Sequence, residues 1–409
     1  SPCLKRTMRI EPLSVRFCPS IPWLPLCLPL VLPLSGETAR WEVLEDVVIM
    51  SRKQKATVRD VAALAGLSTA TVSRAFDPAF AHLVSEESRQ RVMAAAAKLN
   101  YTINHVARSL KTRSTKTIAV IAPELANDFF MELTEAMERV FEQAGYTLLV
   151  ASSSNSVKEE QKRLTLFAER LVDGIVVIPA GDVGEHLNQL GRQGMPLLLV
   201  DRLIEGCALD AVLSENEAGA RSLTDALVRD GYREIAFIGG DRTVSTARER
   251  LAGYRSAMAD AGLTIREDLV RLGGLGIADG YRLMGELLEE QKLPEALVAV
   301  NLLVHLGIQR RLLEEQRKGR SLPPIAIAAF DETVYSAFLP LLRYVAVQDV
   351  AGLGERAARW ILKKVDEARA IPQAGSVNAR EPEIVRLPVT VMPVNRGSFK
   401  TQEVLKEQP

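Results

Sequence analysis

The chain has 409 residues, enough for about two or three domains, and its 51 lysines and arginines balance 51 aspartates and glutamates. Only one of the four cysteines, Cys207, lies beyond residue 50, which excludes a disulfide framework and fits a reducing compartment. The charge is unevenly spread: residues 51–116 contain 12 Lys/Arg and 4 Asp/Glu (+8), residues 1–50 contain 5 of each, and the remainder contains 34 and 42 (−8). A basic head on an acidic body is typical of a DNA-binding module joined to another domain.

The first 49 residues have no periodicity that predicts a packed element. Prolines interrupt the apolar run at 21–34, so we do not expect a membrane-spanning helix of about 20 residues there. A signal peptide would suit the basic residues ahead of this run, but secretion would separate a DNA-binding module from its DNA. We expect residues 1–49 to be a disordered leader or the product of a misplaced start, with the natural start at Met50.

Residues 57–77 predict two short helices joined by a tight turn. The apolar face of the first has the spacing i, i+3, i+4 and i+7, in Val58, Val61, Ala62 and Ala65. Gly66 suits the left-handed residue that ends a helix, and the Ser68 hydroxyl can cap the next one. In that second helix, Val72, Ala75 and Phe76 face one way, and Thr69, Ala70, Ser73 and Arg74 face the other. Such a pair forms the helix-turn-helix that lays its second helix in the major groove, although any small helical hairpin shares the pattern.

A third helix follows a loop at 77–84. Ser85 can cap it, acidic residues lie in its first turn, where the helix dipole favours them, and its apolar stripe consists of Val92, Ala95, Ala96 and Leu99. Residues 105–110 again contain helix formers and lead to a basic exit. Three helices with one small shared core make a module of about 50 residues.

Three motifs in this region resemble the LacI/GalR family of bacterial repressors. The chain has TVRDVAALAGLSTATVSR at 57–74, VSEESRQRV at 84–92 and LNYTINHVARSL at 99–110. They follow the family's order of helix-turn-helix, third helix and hinge helix. The loop at 77–84 is slightly longer than in the family pattern, and Ile103 replaces the usual proline before Asn104. The resemblance implies a sequence-specific DNA-binding repressor.

Beyond Lys116, apolar strand-like runs alternate with helical stretches of about 12–18 residues. The predicted strands are 117–122, 146–151, 174–178, 197–200, 234–239, 296–300 and 325–330. This alternation indicates βαβ units and parallel sheets that are covered on both faces, an α/β fold. It does not distinguish one sheet from two. The family resemblance implies two, in a body that is similar to periplasmic sugar-binding proteins, with two lobes around a cleft.

The predicted fold is therefore an all-α helix-turn-helix head and hinge helix, joined to a two-lobed, periplasmic-binding-protein-like α/β body of parallel sheets. The predicted divisions are the leader (1–49), the DNA-binding head (50–103), the hinge helix and linker (104–116), the effector-binding and dimerisation domain (117–397) and a tail (398–409). The N-lobe would comprise about 117–215 and 349–376, and the C-lobe about 216–348 and 377–397. The resemblance spans this body, in VDGIVVIP, REIAFIGG, RERLAGYRSAM and the closing RGS at 396–398.

The resemblance assigns DNA contacts to the second helix and to the hinge helix. Thr69, Ala70 and Arg74 match base-reading positions, and Arg74 can reach a guanine edge or a phosphate. Phosphate contacts, which position a protein without specifying sequence, are expected from Ser68, Thr71, Ser73 and Asn100. In the hinge helix, Ala107 is a further expected contact, and Leu110 is expected to enter the minor groove as a wedge that bends the duplex. The alternatives are an ordinary solvated helix surface and, for Leu110, a place in a small core.

Ligand sites in α/β lobes lie at the carboxyl ends of strands, so polar residues after apolar runs are candidates for the cleft. The family's effector-contacting positions are matched by Asn127, Asp128, Asp201, Arg250, Asn301 and Asp331, of which Arg250 begins the RLAGY helix. Carboxylates and amides suit sugar hydroxyls, and Arg250 suits a hydroxyl pair, a carboxylate or a phosphate. Turn or helix capping is the alternative role for each aspartate. Two departures affect the ligand: Leu302 lies where many relatives have Asp, and Leu275 lies where some have a stacking aromatic.

We therefore expect a cytoplasmic, dimeric transcription regulator whose operator affinity is set by a small-molecule effector bound between the lobes. Its partners would be a pseudo-palindromic double-stranded DNA operator, a sugar, sugar acid, sugar phosphate or nucleoside-like effector, and a second copy of the chain, with pairing into tetramers left open. No membrane partner, cofactor, metal or catalytic residue is expected, because the four histidines are scattered and no nucleophile elbow is present.

Three alternatives stay open. A repressor is favoured over an activator or dual regulator. A secreted solute-binding protein would suit the leader, but it gives residues 57–110 no role. An enzyme on a doubly wound fold would suit the body, but the chain lacks a catalytic constellation.

Overall fold

The computed structural model describes residues 56–77, 80–102, 114–333, 336–370 and 381–394, which divide into one unit that ends at Ile103 and a second that begins at Asn104. The predicted leader, hinge helix and tail, and the RGS at 396–398, lie outside the described residues. Within the described ranges, no helix is long and apolar enough to cross a lipid bilayer.

The first unit is built on three helices, α1 (Val58–Ala65), α2 (Thr69–Ala75) and α3 (Glu86–Lys98). Each begins at a hydroxyl cap, because the side chains of Thr57, Ser68 and Ser85 accept hydrogen bonds from N–H groups of the first turn. Gly66 ends α1 with a φ of 64°, in the left-handed conformation that glycine adopts without strain. The helix-turn-helix predicted from the sequence is confirmed.

The head has its own small core, to which all three helices contribute: Val61, Ala62, Ala65, Val72, Ala75, Val92, Ala95 and Ala96. Phe76 and Tyr101 pack against it, with ring centroids 5.7 Å apart. Arg91 Nη2 donates a 2.6 Å hydrogen bond to the Ala65 carbonyl, which ties α3 to the end of α1. The predicted loop at 77–84 contains a short 3-10 helix, Ala81–Leu83.

The second unit alternates strands and helices along most of its length, as predicted. Its strands are β1 (Thr117–Ala122), β2 (Thr147–Ser152), β3 (Gly174–Val177), β4 (Leu197–Val200), β5 (Ala211–Ser214), β6 (Ile235–Ile238), β7 (Val270–Arg271), β8 (Ala296–Ala299), β9 (Ala326–Phe330), β10 (Leu342–Gln348), β11 (Ile384–Leu387) and β12 (Val389–Pro393). Its helices are α4 (Asp128–Gln143), α5 (Val157–Glu169), α6 (Glu185–Arg192), α7 (Asn216–Arg229), α8 (Ser245–Asp260), α9 (Ile277–Glu289), α10 (Leu302–Arg317) and α11 (Val350–Ala370).

These strands form two six-stranded sheets, which confirms the two lobes that the resemblance implies. The N-lobe sheet has the order β11-β5-β4-β3-β1-β2, and its paired strands are all parallel. The C-lobe sheet has the order β12-β10-β9-β8-β6-β7, in which β12 is antiparallel to β10 and the other pairs are parallel. Parallel sheets are buried on both faces, so central strands such as β4 are continuous apolar runs.

Helices cover both faces of the N-lobe sheet. Alternate residues of β1 point to opposite faces: Ile118 and Val120 pack with α4 and α11, whereas Ala119 and Ile121 pack with α5 and α6. The C-lobe core is a single cluster that joins its sheet to α7, α8, α9 and α10. With both faces covered, the carboxyl ends of the strands are the part of each sheet left for ligands.

In the described residues the chain passes between the lobes at three places: from Ser214 to Asn216, from Gln348 to Val350 and from Leu387 to Val389. The third crossing differs from the prediction, which placed all of 377–397 in the C-lobe. That boundary is wrong, because β11 pairs in parallel with β5 of the N-lobe and only β12 joins the C-lobe sheet. Both are short, partly exposed edge strands, which leave no apolar run in the sequence.

Candidate functional site

The outward face of α2 presents the residues for which base contacts are predicted. The exposed side chains of this helix are Thr69, Ala70, Ser73 and Arg74, whereas Val72 and Ala75 are buried in the core of the head. Arg74 lies in the last turn of α2. Its guanidinium can therefore extend beyond the helix surface toward a base edge or a phosphate.

Ser68, Thr71 and Asn100 also have local structural roles. Ser68 Oγ accepts a 3.0 Å hydrogen bond from the Thr71 amide and lies 2.9 Å from Thr71 Oγ1. Asn100 is exposed and has a φ of 46°, a left-handed conformation that asparagine adopts more often than most residues. Their phosphate contacts stay predictions. Ala107 and Leu110 lie outside the described residues.

Strands of both lobes end at predicted effector-binding residues. Asp201 directly follows β4 of the N-lobe, and Asn301 and Asp331 follow β8 and β9 of the C-lobe. Asp201 and Asp331 have φ values of 65° and 72°, which are strained for residues other than glycine. Backbone strain of this kind concentrates at functional sites.

Contacts with other protein groups hold the Arg250 side chain in place in the C-lobe. Its helix, α8, begins earlier than predicted, at Ser245, so Arg250 lies in the second turn and is buried. Its Nε donates to Asn216 Oδ1 (2.8 Å) and its Nη1 donates to the Val300 carbonyl (2.7 Å). The guanidinium carbon lies 3.7 Å from the centroid of the Phe330 ring. These contacts fix the plane of the guanidinium before any ligand arrives.

Asp201 and Arg202 form a buried pair in the same electrostatic environment. Asp201 Oδ2 lies 3.9 Å from Arg202 Nε, and both side chains are at most 7% exposed. Burial raises the pKa of Asp201 to about 6, an effect that Arg202 and Arg250 partly offset. Burial lowers the pKa of Arg250, and the carboxylates of Asp331 and Asp201 oppose that shift. Carboxyl groups of both lobes thus act on one arginine.

Three buried polar atoms in this region have no hydrogen-bond partner among the described residues: Asp201 Oδ1, Arg202 Nε and Gln348 Oε1. Gln348 ends β10, and its Nε2 donates a 2.7 Å hydrogen bond to Asp331 Oδ1. A buried polar atom without a partner costs about 1–3 kcal/mol. A polar ligand that reached these atoms would supply the missing bonds.

Asn127 and Asn301 each cap a helix. Asn127 Oδ1 accepts a 3.1 Å hydrogen bond from the Phe129 amide, and Asn301 Oδ1 accepts one of 2.9 Å from the Val304 amide. Asn301 Nδ2 also donates a 3.0 Å hydrogen bond to the Leu275 carbonyl, which joins Leu275 to the site through its backbone. Each amide keeps one further donor proton or lone pair for a ligand.

The first turns of α4 bring more acidic side chains to the cleft. Asp128 is exposed in the first turn, and Glu132 follows one turn later. Partial burial raises the pKa of Glu132, and the charges of Asp128, Glu135 and Asp331 add to this. Since Asp331 belongs to the C-lobe, this end of α4 faces the second lobe. Among the side chains described, no three His, Cys, Asp or Glu groups are placed to hold a metal ion.

Sequence reasoning missed four residues of this region: Arg202, Asn216, Phe330 and Gln348. Arg202 follows the predicted residue Asp201, and Phe330 precedes the predicted residue Asp331. Both could have been found by including the sequence neighbours of the predicted residues. Gln348 ends β10 and Asn216 follows β5, two strands that the sequence did not reveal. An amide at the end of the run LRYVAVQ was a usable signal for Gln348, whereas the run AVLS before Asn216 contains a single β-branched residue and gives no such signal.

The chain matches two family models. Residues 57–104 match the bacterial regulatory proteins of the lacI family, and residues 115–384 match the periplasmic binding proteins and sugar binding domain of the LacI family. The HTH-type transcriptional repressor PurR of Vibrio campbellii is 30% identical over 333 residues, which cover 81% of this chain and 97% of PurR.

Solved structures agree with this relationship. The Lac repressor bound to ONPG in the repressed state is 25% identical, with a TM-score of 0.70, and the match covers 83% of this chain and 98% of the repressor. The complex of the transcriptional regulator CelR with cellobiose is 25% identical, with a TM-score of 0.59, over 83% of this chain and 99% of CelR. These matches include both the head and the two-lobed body. The chain therefore belongs to the LacI/GalR family, DNA-binding transcriptional regulators that small-molecule effectors control.

Proposed function

We propose that this protein is a repressor that binds a pseudo-palindromic operator as a homodimer and responds to an uncharged, hydroxyl-rich molecule bound between its lobes. The observation that carries the effector site is the set of buried, unpartnered atoms in Asp201, Arg202 and Gln348. The first two residues belong to the N-lobe and the third to the C-lobe. A ligand that bonds to both sides favours the closed arrangement of the lobes, because it gains those contacts only there.

The DNA-binding role is assigned to the head and hinge. We propose the divisions 50–103 for the head, 104–116 for the hinge and linker, and 117–397 for the effector-binding and dimerisation domain. Family-model matches at 57–104 and 115–384 support these divisions. A repressor is preferred to an activator because the PurR relative is a repressor. A cytoplasmic location suits a protein that must reach DNA.

The charges of the cleft favour an uncharged sugar over a sugar acid or sugar phosphate. Asp128, Glu132 and Asp331 would repel an anion, and protein groups already occupy Nε and Nη1 of Arg250. Sugar hydroxyls can donate to the unpartnered oxygens and accept from the unpartnered arginine nitrogen. The structure of CelR with cellobiose supports a sugar as the class of ligand.

Thermal unfolding of the full chain with matched compounds tests the effector class. The panel is cellobiose, glucose, glucose 6-phosphate, gluconate and adenosine at one concentration. A ligand at 100 times its Kd raises the free energy of unfolding by about 2.7 kcal/mol. We expect a neutral sugar to stabilise the protein, and we expect Asp331→Ala to lose that effect. Asp260→Ala, which removes an exposed partner of Arg221, serves as the control. Stabilisation by the phosphate or the acid alone would contradict the neutral class.

Exposed apolar side chains at the edge of the N-lobe support a dimer. β2 is an edge strand, and Leu149 and Val150 on it are 36% and 38% exposed. Met131 on α4, which contacts β2, is 39% exposed. Apolar side chains on an open strand edge are typical of a protein interface. A two-fold dimer would present one α2 to each half-site of the operator.

Selection of duplexes from a randomised pool, with sedimentation of the free and bound protein, tests the DNA-binding role. We expect the selected duplexes to share a pseudo-palindrome and one dimer to bind each duplex. A chain that binds a sugar but selects no duplex would behave as a solute-binding protein, and the regulator would then be the wrong conclusion.

A further inference from the structure

Residues 114–116, which follow the hinge in sequence, are held by one buried carboxylate. Asp173, just before β3, has a side chain that is 6% exposed. Its Oδ1 accepts a hydrogen bond from the amide of Thr115 (2.9 Å) and lies 3.2 Å from the Thr115 hydroxyl, whose shorter contact is with the Leu171 carbonyl (2.8 Å). Its Oδ2 accepts from the hydroxyl of Ser114 (2.7 Å) and the amide of Lys116 (2.9 Å). Every residue of this segment is therefore bonded to the same side chain.

Arg369, near the end of α11, completes this arrangement. Its Nη2 lies 2.5 Å from Asp173 Oδ2 and 2.6 Å from Ser114 Oγ, and its Nη1 donates a 2.8 Å hydrogen bond to the Tyr146 hydroxyl. The Nζ atom of Lys116 lies 4.2 Å from the centroid of the Tyr146 ring. We call Asp173, Arg369 and Tyr146 the linker anchor.

Polar contacts with a charged side chain hold the segment in place. An open pocket of about 520 Å³ lies beside it, lined by Ser114, Thr115, Asp173 and Arg369 and by apolar side chains such as Met195. Hydrogen bonds to a charged group are stronger than neutral ones, so the anchor stabilises the ordered conformation of these residues.

The same helix that carries Arg369 starts beside the cleft. α11 begins at Val350, two residues after Gln348, whose side chain bonds to Asp331. Its 21 residues span about 30 Å at 1.5 Å per residue. Along that length it packs against α4 and the N-lobe sheet, so it behaves as a rigid part of the N-lobe. The segment before the body is thus tied to an element whose other end lies at the effector site.

We propose that the linker anchor is a positioning site for operator binding, which fixes where and in which direction the linker leaves the N-lobe. Asp173 and Arg369 act through residues 114–116 and do not touch DNA. The proposal rests on the DNA-binding function of the head. It predicts that loss of the anchor weakens operator binding by a folded protein and leaves the effector cleft intact.

Asp173→Asn is the sharpest substitution, because it keeps the shape of the side chain. One carboxylate oxygen becomes an NH₂ group, which cannot accept a hydrogen bond and faces donors from Thr115, or from Ser114, Lys116 and Arg369. Arg369→Gln is the second variant, since its side chain is 30% exposed and its loss is easier to tolerate. Asp366→Asn is the matched control: it removes an exposed carboxylate 3.7 Å from the same Arg369.

Two readouts on the full-length protein test the anchor, both at 15 °C and after circular dichroism has shown a folded body. The first is the initial rate of tryptic cleavage after Lys116, followed by mass spectrometry. We expect this rate to rise at least tenfold in Asp173→Asn and in Arg369→Gln, because the amide of Lys116 loses its acceptor or the clamp around it. The control should stay within twofold of the unsubstituted protein.

The second readout is affinity for a duplex selected from a random pool by the unsubstituted protein. We expect a loss of at least tenfold in both variants, about 1.4 kcal/mol, with a smaller loss in Arg369→Lys, which keeps the charge. Unchanged affinity in a folded variant overturns the proposal, as does a loss of affinity without faster cleavage, because that loss would not pass through the linker. If Asp173→Asn does not fold, Arg369→Gln decides. If no duplex is selected, the regulator function fails and the role of the anchor in operator binding fails with it, whatever the cleavage rates show about residues 114–116.

Discussion

Asp201 combines three features that oppose stability. Its carboxyl group is buried, its backbone has a positive φ of 65°, and one of its oxygens has no donor among the described residues. A left-handed backbone costs a residue other than glycine roughly 1–3 kcal/mol, and the unpartnered oxygen costs a similar amount. Asp331 repeats the backbone feature with a φ of 72°. These unfavourable features at the ends of β4 and β9 make sense if a bound ligand compensates for them with new hydrogen bonds.

Asp201→Asn should make the stability of the effector domain less dependent on pH. Burial raises the pKa of Asp201 from 3.8 to about 6, so between these values the folded state binds more protons than the unfolded state. Stability therefore falls as the pH rises from about 4 through 6, by roughly 2–3 kcal/mol, and stays lower above that range. Urea unfolding at pH 4.5 and pH 7.5 measures this. An identical pH difference in both proteins would show that Asp201 titrates normally.

Arg74→Ala should remove specific operator binding and leave the fold intact. Arg74 is exposed on the outward face of α2, where a guanidinium can bond to a base edge, and such a contact is worth about 1–3 kcal/mol. Arg89→Ala, at an exposed arginine of α3 paired with Glu86, is the control. Gel-shift titrations over a range of salt concentrations measure both. If Arg74→Ala binds with the affinity and salt dependence of the unsubstituted protein, α2 does not dock as proposed.

At the residue scale, the sequence could predict the cleft only where a strand ended in a recognisable way. Asp201, Asn301 and Asp331 follow uninterrupted apolar runs, so the strand-end rule found them. Arg202 is different, because its burial depends on the Pro179 carbonyl (3.0 Å) and on Asn155 Oδ1 (3.3 Å), which come from other loops. No local pattern encodes such contacts.

At the scale of elements, an uninterrupted apolar run is what makes a strand recognisable in the sequence. β1 and β4 have the bounds that were predicted, because each is an apolar run in the middle of a sheet. β5, β7, β10, β11 and β12 were not predicted. β7 has two residues, and β10, β11 and β12 mix more exposed with less exposed residues, so these strands owe their conformation to the neighbouring strand. β5 is fully buried, but its four residues, AVLS, offer an apolar run of only three.

Close helix packing in the C-lobe depends on glycines that the sequence alone did not single out. A Cβ atom on Gly280 of α9 would lie 2.0 Å from the Val304 carbonyl oxygen of α10. Gly280→Ala should therefore force the helices apart and lower the free energy of unfolding by about 1–3 kcal/mol or more. Gly276→Ala is the control, because its Cβ would meet only Asp279 Oδ2 at an ordinary 3.5 Å. Equal urea midpoints for the two variants would mean that the helices adjust without strain.

At the scale of the whole effector domain, the beginning of α8 joins the lobes. Ser245 Oγ accepts a 2.8 Å hydrogen bond from the Leu203 amide of the N-lobe. Glu249 forms a bidentate salt bridge with Arg386 of β11, in which its two carboxylate oxygens lie 2.9 and 3.1 Å from the guanidinium nitrogens. Arg250, in the same stretch, lies in the cleft. The same helix therefore carries both the bonds between the lobes and a ligand-binding side chain. A ligand that binds Arg250 acts on the helix that makes the interlobe bonds.

Glu249→Gln should shift the ligand-free protein toward a more open arrangement of the lobes. The substitution replaces a bidentate, charge-assisted pair with at most a single neutral hydrogen bond. Glu205→Gln is the matched control, since Glu205 is 84% exposed and its pair with Arg248 contributes little in water. Spin labels on one exposed residue of each lobe allow pulsed electron paramagnetic resonance to measure the interlobe distance. We expect longer distances in Glu249→Gln and Arg386→Gln, and recovery when Glu249→Arg is combined with Arg386→Glu. If the interlobe distances stay unchanged, packing at the three crossovers determines the arrangement of the lobes, and the pair between Glu249 and Arg386 does not influence it.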